Sequence, residues 1–156
     1  TKAGLLVAGE EAAPELSELP REAAFGASHF GVIAQTAAYR EGGDWLEALL
    51  AGLDSNRRLL GELLSDHLPD LTWTAPQGTY LAWLDFSAYG FEDDVAEGGE
   101  ETPIKGPAKF LLQQAKVALT AGHPFGTGGE RHARLNFAAS QQTITEAVER
   151  MGAALR

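Results

Sequence analysis

Apolar residues recur with helical spacing between residues 44 and 68, and this is the clearest pattern along the chain. Asp44 and Glu47 match a capping box at its start, and Pro69 prevents its continuation. We therefore predict one long helix over 44–67, which spans roughly 35 Å at 1.5 Å per residue. A helix of that length often links two domains. The apolar positions that define it are 45, 46, 49, 50, 53, 60, 63, 64 and 68.

Shorter apolar stretches precede this helix. Residues 3–8 form a run that ends at Gly9, and we predict a buried strand there. The acidic, proline-containing segment 10–22 predicts loop with some helix. Residues 28–40 predict a helix with Ser28 as its N-cap and the Gly42-Gly43 pair at its end. The apolar face of that helix is made of small residues, which is typical of an interface.

After residue 69 the pattern changes to short strands and helices. We predict strands over 71–74, 79–86, 117–121 and 132–139. A helix is predicted over 108–116 with Pro107 in its first turn, and a last helix is capped by Thr143 and Glu146. Together these elements predict a small α+β domain over 70–156, with helices on one face of a mainly antiparallel sheet.

Composition narrows the possible functions. The 156 residues are 44% hydrophobic, enough for one core or for a domain and part of another. The net charge is −10 and there is no basic patch, which argues against nucleic-acid binding. No apolar run approaches the ~18 residues of a membrane span, and there is no secretory signal pattern. Cysteine is absent, so neither a disulfide framework nor a thiolate metal site is expected, and a cytoplasmic location is the default.

Acidic residues crowd one glycine-containing stretch between residues 92 and 101. Their spacing does not match the calcium loop of an EF-hand, and we predict a solvated surface loop. The residues are Glu92, Asp93, Asp94, Glu97, Glu100 and Glu101.

Few residues carry a recognisable chemistry. No serine lies in a G-x-S-x-G context, and the four histidines do not have metal-site spacing. We expect these histidines to be structural or exposed and predict no metal site. They are His29, His67, His123 and His132.

Arg134 is the most specific candidate. Strand alternation puts Arg134 and Asn136 on one face, and a glycine-rich loop over 125–129 comes shortly before them. A guanidinium in that position can hold a carboxylate through two hydrogen bonds, although the spacing alone favours an arginine in a surface salt bridge. Phosphate-binding loops usually precede a helix, whereas this loop precedes a strand.

Several short motifs occur in a fixed order along nearly the whole chain. Their order resembles the C-terminal part of fold-type-I pyridoxal-phosphate (PLP) enzymes of the aminotransferase class I/II family, and is most similar to the cystathionine beta-lyase-like C–S lyases. The motifs are Ala37-Ala38-Tyr39, Gly42, Trp45-Leu46, Pro76, Gly78-Thr79-Tyr80-Leu81-Ala82-Trp83-Leu84-Asp85, Phe125-Gly126-Thr127-Gly128-Gly129 and Arg134-Leu135-Asn136.

The resemblance implies the α/β fold of the PLP-dependent transferases. Residues 1–43 would end the large PLP-binding domain, 44–68 would form the interdomain helix, and 69–156 would form the small C-terminal α+β domain. The segment 91–106 is longer than the connection usual in the family.

The resemblance also implies residue roles within a homodimer that binds PLP and an amino-acid substrate. Arg134 would bind the substrate α-carboxylate. Gly78, Thr79 and Tyr80 would line the substrate side of the site, and Ser28 would lie near the dimer interface, close to the cofactor of the other subunit.

The lysine that binds PLP in this family is expected upstream of Thr1. Lys2 is followed by Ala3-Gly4-Leu5, which lacks the aromatic-Asn pair that follows the family's lysine, so Lys2 is a poor match. The chain opens in mid-pattern and without Met, and we expect a chain cut inside a larger fold, with N-terminal processing as the alternative.

The activity implied for the complete enzyme is β-elimination from a sulfur amino acid, which gives pyruvate, ammonia and a thiol. Aminotransfer is the alternative within the same family. A non-catalytic α+β binding module is the alternative outside it, because the chain by itself contains no complete active site and is expected to be inactive alone.

Overall fold

The computed structural model describes residues 2–91 and 106–156 of the chain. The acidic cluster over 92–101 lies outside the described residues, and so does most of the segment expected to be longer than in the family.

Helices account for most of the regular structure of the described residues, in which four short strands form one sheet. The same residues include 3₁₀ turns over Arg21–Ala24, Ser87–Tyr89 and His123–Phe125. In chain order, the helices and strands are α1 (Ala13–Ser17), α2 (His29–Glu41), α3 (Gly43–His67), β1 (Thr72–Trp73), β2 (Leu81–Asp85), α4 (Gly106–Gln114), β3 (Thr120–Ala121), β4 (His132–Asn136) and α5 (Gln141–Ala154).

The chain divides into two compact units, Thr1–Leu49 and Leu50–Arg156. The division falls inside α3, the long helix predicted from the leucine pattern. The domain limits expected at residues 43 and 68 remain predictions.

The strand predicted over 3–8 is wrong. This segment is not part of any sheet in the described chain, and Leu5, Leu6 and Val7 are 59%, 70% and 83% exposed. A strand needs a neighbour for its backbone N–H and C=O groups, and the described residues offer this segment none. An apolar run therefore identified hydrophobic residues without identifying their secondary structure.

The predicted cap of α2 is confirmed. The Ser28 side chain accepts a hydrogen bond from the Gly31 backbone N–H at 3.4 Å, and the helix ends at Gly42. The next helix begins at Gly43, so Gly42 alone lies between the two helices. The capping box predicted for Asp44 is not formed, because the first turn of α3 is continuous with Gly42, whose carbonyl accepts from the Leu46 N–H.

The sheet of the second unit is antiparallel throughout, with the strand order β1-β2-β4-β3. All its strands are shorter than predicted. The edge strands pair over two residues each, and the central strands over five. At the start of β2, Thr79 has a φ of 67°, which is incompatible with a strand, and β2 begins only at Leu81.

Helices α3, α4 and α5 contribute to the core that covers one face of this sheet, as predicted. The last helix is capped by Ser140, whose hydroxyl accepts from the Thr143 N–H, and not by Thr143 itself. The fully buried side chains of this core include Leu60, Leu64, Leu84, Phe86, Leu111, Phe137, Val148 and Met151. Within the described residues, no helix is long and apolar enough to cross a membrane.

Candidate functional site

The uncovered face of the sheet carries the candidate site. Ala82, Leu84, Ala133 and Leu135 point into the core, so the alternate residues of β2 and β4 point away from it. These alternate residues are Leu81, Trp83, Asp85, His132, Arg134 and Asn136. Trp83 on this face is 38% exposed, and a partly exposed surface with aromatic rings and an arginine suits a small polar ligand.

Arg134 lies at the centre of this face. It pairs with Trp83 on β2 and with Thr120 on β3, and its guanidinium carbon lies 4.8 Å from the centre of the Phe125 ring. Arg134 makes no ion pair with any described residue. The alternative of a surface salt bridge therefore has no support within residues 2–91 and 106–156, and the N–H groups of Arg134 remain available to a carboxylate.

The glycine-rich loop positions Phe125 over this arginine. Gly122 and Gly129 approach so closely that a Cβ on either would lie 2.2 Å from the carbonyl oxygen of the other. The Gly122 N–H donates to the His132 carbonyl, and the Phe125 N–H donates to the Gly122 carbonyl. The glycines therefore let the loop fold tightly against the start of β4, and the loop supports a side-chain contact to Arg134.

Aromatic packing extends across the face. The Trp83 ring stacks on the His132 ring with centroids 5.3 Å apart and 18° between the planes. It also meets Phe125 edge-on at 5.5 Å. Trp83 thus contacts the residue that lies over Arg134, and the three rings form a continuous wall.

Asp85 provides the negative charge at one end of the wall. The Ser87 side chain donates a hydrogen bond to its carboxylate and lowers the pKa of Asp85, although burial opposes that effect. The Ser87 backbone N–H and the positive charges of His132 and Arg131 lower the pKa further. His132 Nε2 lies 3.8 Å from the carboxylate, and its Nδ1 is buried without a hydrogen-bond partner among the described residues.

Gly78, Thr79 and Tyr80 lie beside the end of β4. The Tyr80 carbonyl accepts from the Phe137 N–H at 2.9 Å, one residue beyond the strand that carries Arg134. Thr79 is one of two described non-glycine residues with positive φ, a strained conformation that often occurs at functional sites. Gly78 and Thr79 also line a cleft of about 420 Å³ together with Arg57 and Phe137.

Ser28 and Lys2 lie together in the first unit. The Ser28 N–H donates to the Lys2 carbonyl at 2.8 Å, while the Ser28 hydroxyl caps α2. Lys2 is exposed at the rim of a shallow cleft of about 690 Å³, formed with Leu5, Leu6 and Ala27 among others. The structure thus gives Ser28 a role in helix capping, and it leaves the predicted role near a cofactor untested.

Sequence reasoning missed two contributors to the site. Trp83 could have been found by extending the alternation that identified Arg134 to the neighbouring strand. Asn56 is a polar residue between Leu53 and Leu60 on the apolar side of α3, and such an interruption is the signal of a buried hydrogen-bonding side chain. Asn56 is only 9% exposed.

The histidines have different surroundings. His132 packs in the aromatic wall, and His67 lies at the end of α3. In the part of the chain that the structure describes, no three His, Cys, Asp or Glu side chains converge as a metal site would require.

Known proteins show clear similarity to this chain. No family model matches it. A candidate cystathionine beta-lyase of Mycobacterium tuberculosis is 51% identical over 159 residues, which cover 99% of this chain and 39% of the relative. Cystathionine beta-lyase PatB of Bacillus subtilis is 35% identical over 139 residues, 89% of this chain and 33% of the relative. The chain therefore spans well under half the length of these relatives.

Solved structures agree with these relatives. The structure of a candidate PLP-dependent beta-cystathionase from Corynebacterium diphtheriae matches 94% of this chain and 36% of its own, with a TM-score of 0.73 and 36% identity. The PLP-bound C–S lyase from Staphylococcus hominis matches 82% of this chain and 31% of its own, with a TM-score of 0.68 and 31% identity. The chain belongs to the fold-type-I PLP-dependent enzymes of the aminotransferase class I/II family, on the branch of the cystathionine beta-lyases and C–S lyases.

Proposed function

We propose that this chain is part of a PLP-dependent C–S beta-lyase, which releases pyruvate, ammonia and a thiol from cystathionine or a similar amino acid. The observation that carries the proposal is Arg134, a strand arginine that forms no ion pair with the described residues and lies beside aromatic rings. The 51% identity to a candidate cystathionine beta-lyase supports the choice of reaction.

The described residues suit the carboxylate end of an amino-acid substrate. Arg134 offers donors in the planar arrangement that a carboxylate accepts, and the Phe125 and Trp83 rings offer apolar surface beside it. When bound, PLP supplies an electron-withdrawing ring for the charge that develops at Cα. We propose that the lysine which holds PLP lies upstream of Thr1 and is not Lys2, so that this chain alone is inactive.

In this mechanism the residues of the chain bind and orient the substrate. Two N–H groups of Arg134 hold the α-carboxylate, which fixes the direction of the Cα–H bond. Phe125 restricts the guanidinium from one side. Gly78, Thr79 and Tyr80 form the wall against which the substrate side chain lies, and their exposed position at the end of β4 supports this role.

We also propose that the complete protein is a cytoplasmic homodimer in which Ser28 lies near the cofactor of the other subunit. The support is the exposed apolar surface of α2 in the first unit. Val32 is 47% exposed and Ile33 is 53% exposed. The dimer and the position of Ser28 are otherwise implied by the resemblance to the family.

Aminotransfer is the second candidate reaction. The structure of a PLP-bound candidate aminotransferase from Clostridium difficile matches 94% of this chain, with a TM-score of 0.71 and 32% identity. Both reactions need the same carboxylate clamp, so the geometry around Arg134 does not separate them.

Product analysis separates the two reactions. The complete protein, supplied with PLP and cystathionine, should release pyruvate and a thiol when no ketoacid is added as an amino-group acceptor. Amino transfer that requires a ketoacid, with no thiol released, would replace the lyase with the aminotransferase. If neither product forms and no amino acid binds, the chain would be part of a non-catalytic module.

A further inference from the structure

Asn56 connects the long helix to the end of the strand that carries Arg134. Its side-chain nitrogen donates to the Phe137 carbonyl at 2.9 Å and to the Ala139 carbonyl at 2.9 Å. These contacts join residues 81 and 83 positions apart in the chain. An amide NH₂ has two hydrogens, so both donors of Asn56 are used.

The backbone that Asn56 holds has left the sheet. Strand β4 ends at Asn136, so the Phe137 and Ala139 carbonyls have no ladder partner on β2. The Phe137 carbonyl is held in a buried hydrogen bond. Without Asn56 it would lose that partner, and an unsatisfied buried group is costly.

The same backbone reaches the predicted substrate wall. The Phe137 N–H donates to the Tyr80 carbonyl, while its own carbonyl accepts from Asn56. One peptide segment is thus bonded on one side to α3 and on the other to the loop of Thr79 and Tyr80. Arg134 lies three residues earlier on the same strand.

We propose that Asn56 is a positioning residue for amino-acid binding. It fixes the end of β4 relative to α3, and through that segment it sets the positions of the Arg134 guanidinium and of Tyr80. The proposal rests on the proposed function, because it assumes that Arg134 binds the substrate carboxylate. Asn56 itself touches neither substrate nor cofactor in this account.

The test is the Asn56→Leu variant of the complete protein, which keeps the approximate size of the side chain and removes both donors. We expect KM for cystathionine to rise about tenfold with kcat within about twofold, because a displaced clamp weakens binding more than the chemical step. The Phe137 amide should also exchange with solvent faster, since its bond to Tyr80 loosens.

Two controls separate positioning from general loss of stability. Leu64 is buried on α3, as Asn56 is, but its side chain has no hydrogen-bonding group. The Leu64→Val variant therefore removes one methylene from the core and no hydrogen bond. Ser55→Ala removes the neighbouring bond from Gln141. Both should leave KM and Phe137 exchange unchanged.

The outcomes are distinct. If Arg134→Ala raises KM but Asn56→Leu behaves like Leu64→Val, the positioning role is wrong and the proposed function stands. If Arg134→Ala leaves KM unchanged, the proposed function fails first. Should Asn56→Leu not fold, Asn56→Gln keeps the donors but displaces them by one methylene. A severalfold rise in KM at constant kcat would then support positioning, and an unchanged KM would overturn it.

Discussion

The two faces of strands β2 and β4 differ in their surroundings, because one is buried in the core and the other is partly exposed. Toward the core, Ala82, Leu84 and Ala133 are completely buried. On the other face, Trp83 is 38% exposed and Arg134 is half-buried. Alternation along a strand thus lets five residues pack a core on one face and present polar and aromatic side chains on the other.

The largest expected effect comes from the covered face. Leu84→Ala should destabilise the second unit by about 2–5 kcal/mol, because it removes a fully buried side chain and leaves a cavity. Native-state hydrogen exchange of the β2 and β4 amides measures this loss. Leu81→Ala is the matched control on the other face of the same strand, where partial exposure should keep the cost near 1 kcal/mol. Equal losses would contradict the division between the faces.

Removing the clamp should affect binding instead of stability. Arg134→Ala should weaken binding of the substrate carboxylate by about 2–4 kcal/mol, which raises KM about 30- to 900-fold. The Arg134→Lys variant keeps the charge but loses the planar pair of donors, so its KM should lie between that of the unmodified protein and that of Arg134→Ala. Steady-state kinetics with cystathionine measure both. A KM close to that of the unmodified protein in Arg134→Ala would reject the assigned role.

The aromatic wall should have a smaller effect on the same quantity. Phe125→Leu removes the ring over the guanidinium, and the loss of an exposed cation–π contact of about 0.5–1 kcal/mol should raise KM about two- to fivefold. Phe125→Tyr keeps the ring and should leave KM unchanged. If both variants raise KM equally, ring contact with Arg134 is not what matters at this position.

The sequence predicted the covered face better than the open one. Core positions such as Leu60, Leu64 and Val148 repeat with a regular period, and a period can be recognised without knowing the fold. Arg134 became a candidate because it follows a recognisable glycine-rich motif. The contacts of Asn56 with Phe137 and Ala139 join residues more than 80 positions apart. A pattern within a short stretch of sequence cannot predict a contact between residues so far apart.

The wrong prediction for residues 3–8 has the same physical origin. Leu5, Leu6 and Val7 form a run that suits a strand, but a strand exists only when a neighbour accepts its backbone hydrogen bonds. The length errors in the sheet are similar, because β1 and β3 pair with their neighbours over two residues each whatever the propensity of the flanking sequence. The periodicity of side chains can be recognised within one segment of the sequence, whereas strand pairing depends on two segments.

The smallest expected effect concerns Asp85 at the end of the open face. Hydrogen bonds from Ser87 lower the pKa of Asp85 below its usual value of 3.8, so the folded state favours the carboxylate. Its contribution to stability is therefore complete above about pH 5, well above the unfolded pKa, and is lost as pH falls through the lowered folded pKa. Because the Asp85 side chain is one-third exposed, Asp85→Asn should cost less than about 1 kcal/mol at pH 7. Ser87→Ala should remove most of the acid-dependent part of the stability that Asp85 contributes. Hydrogen exchange of the β2 amides between pH 2 and about 5 measures this loss. An unchanged acid dependence in Ser87→Ala would show that His132 and Arg131, and not Ser87, hold the carboxylate in its charged form.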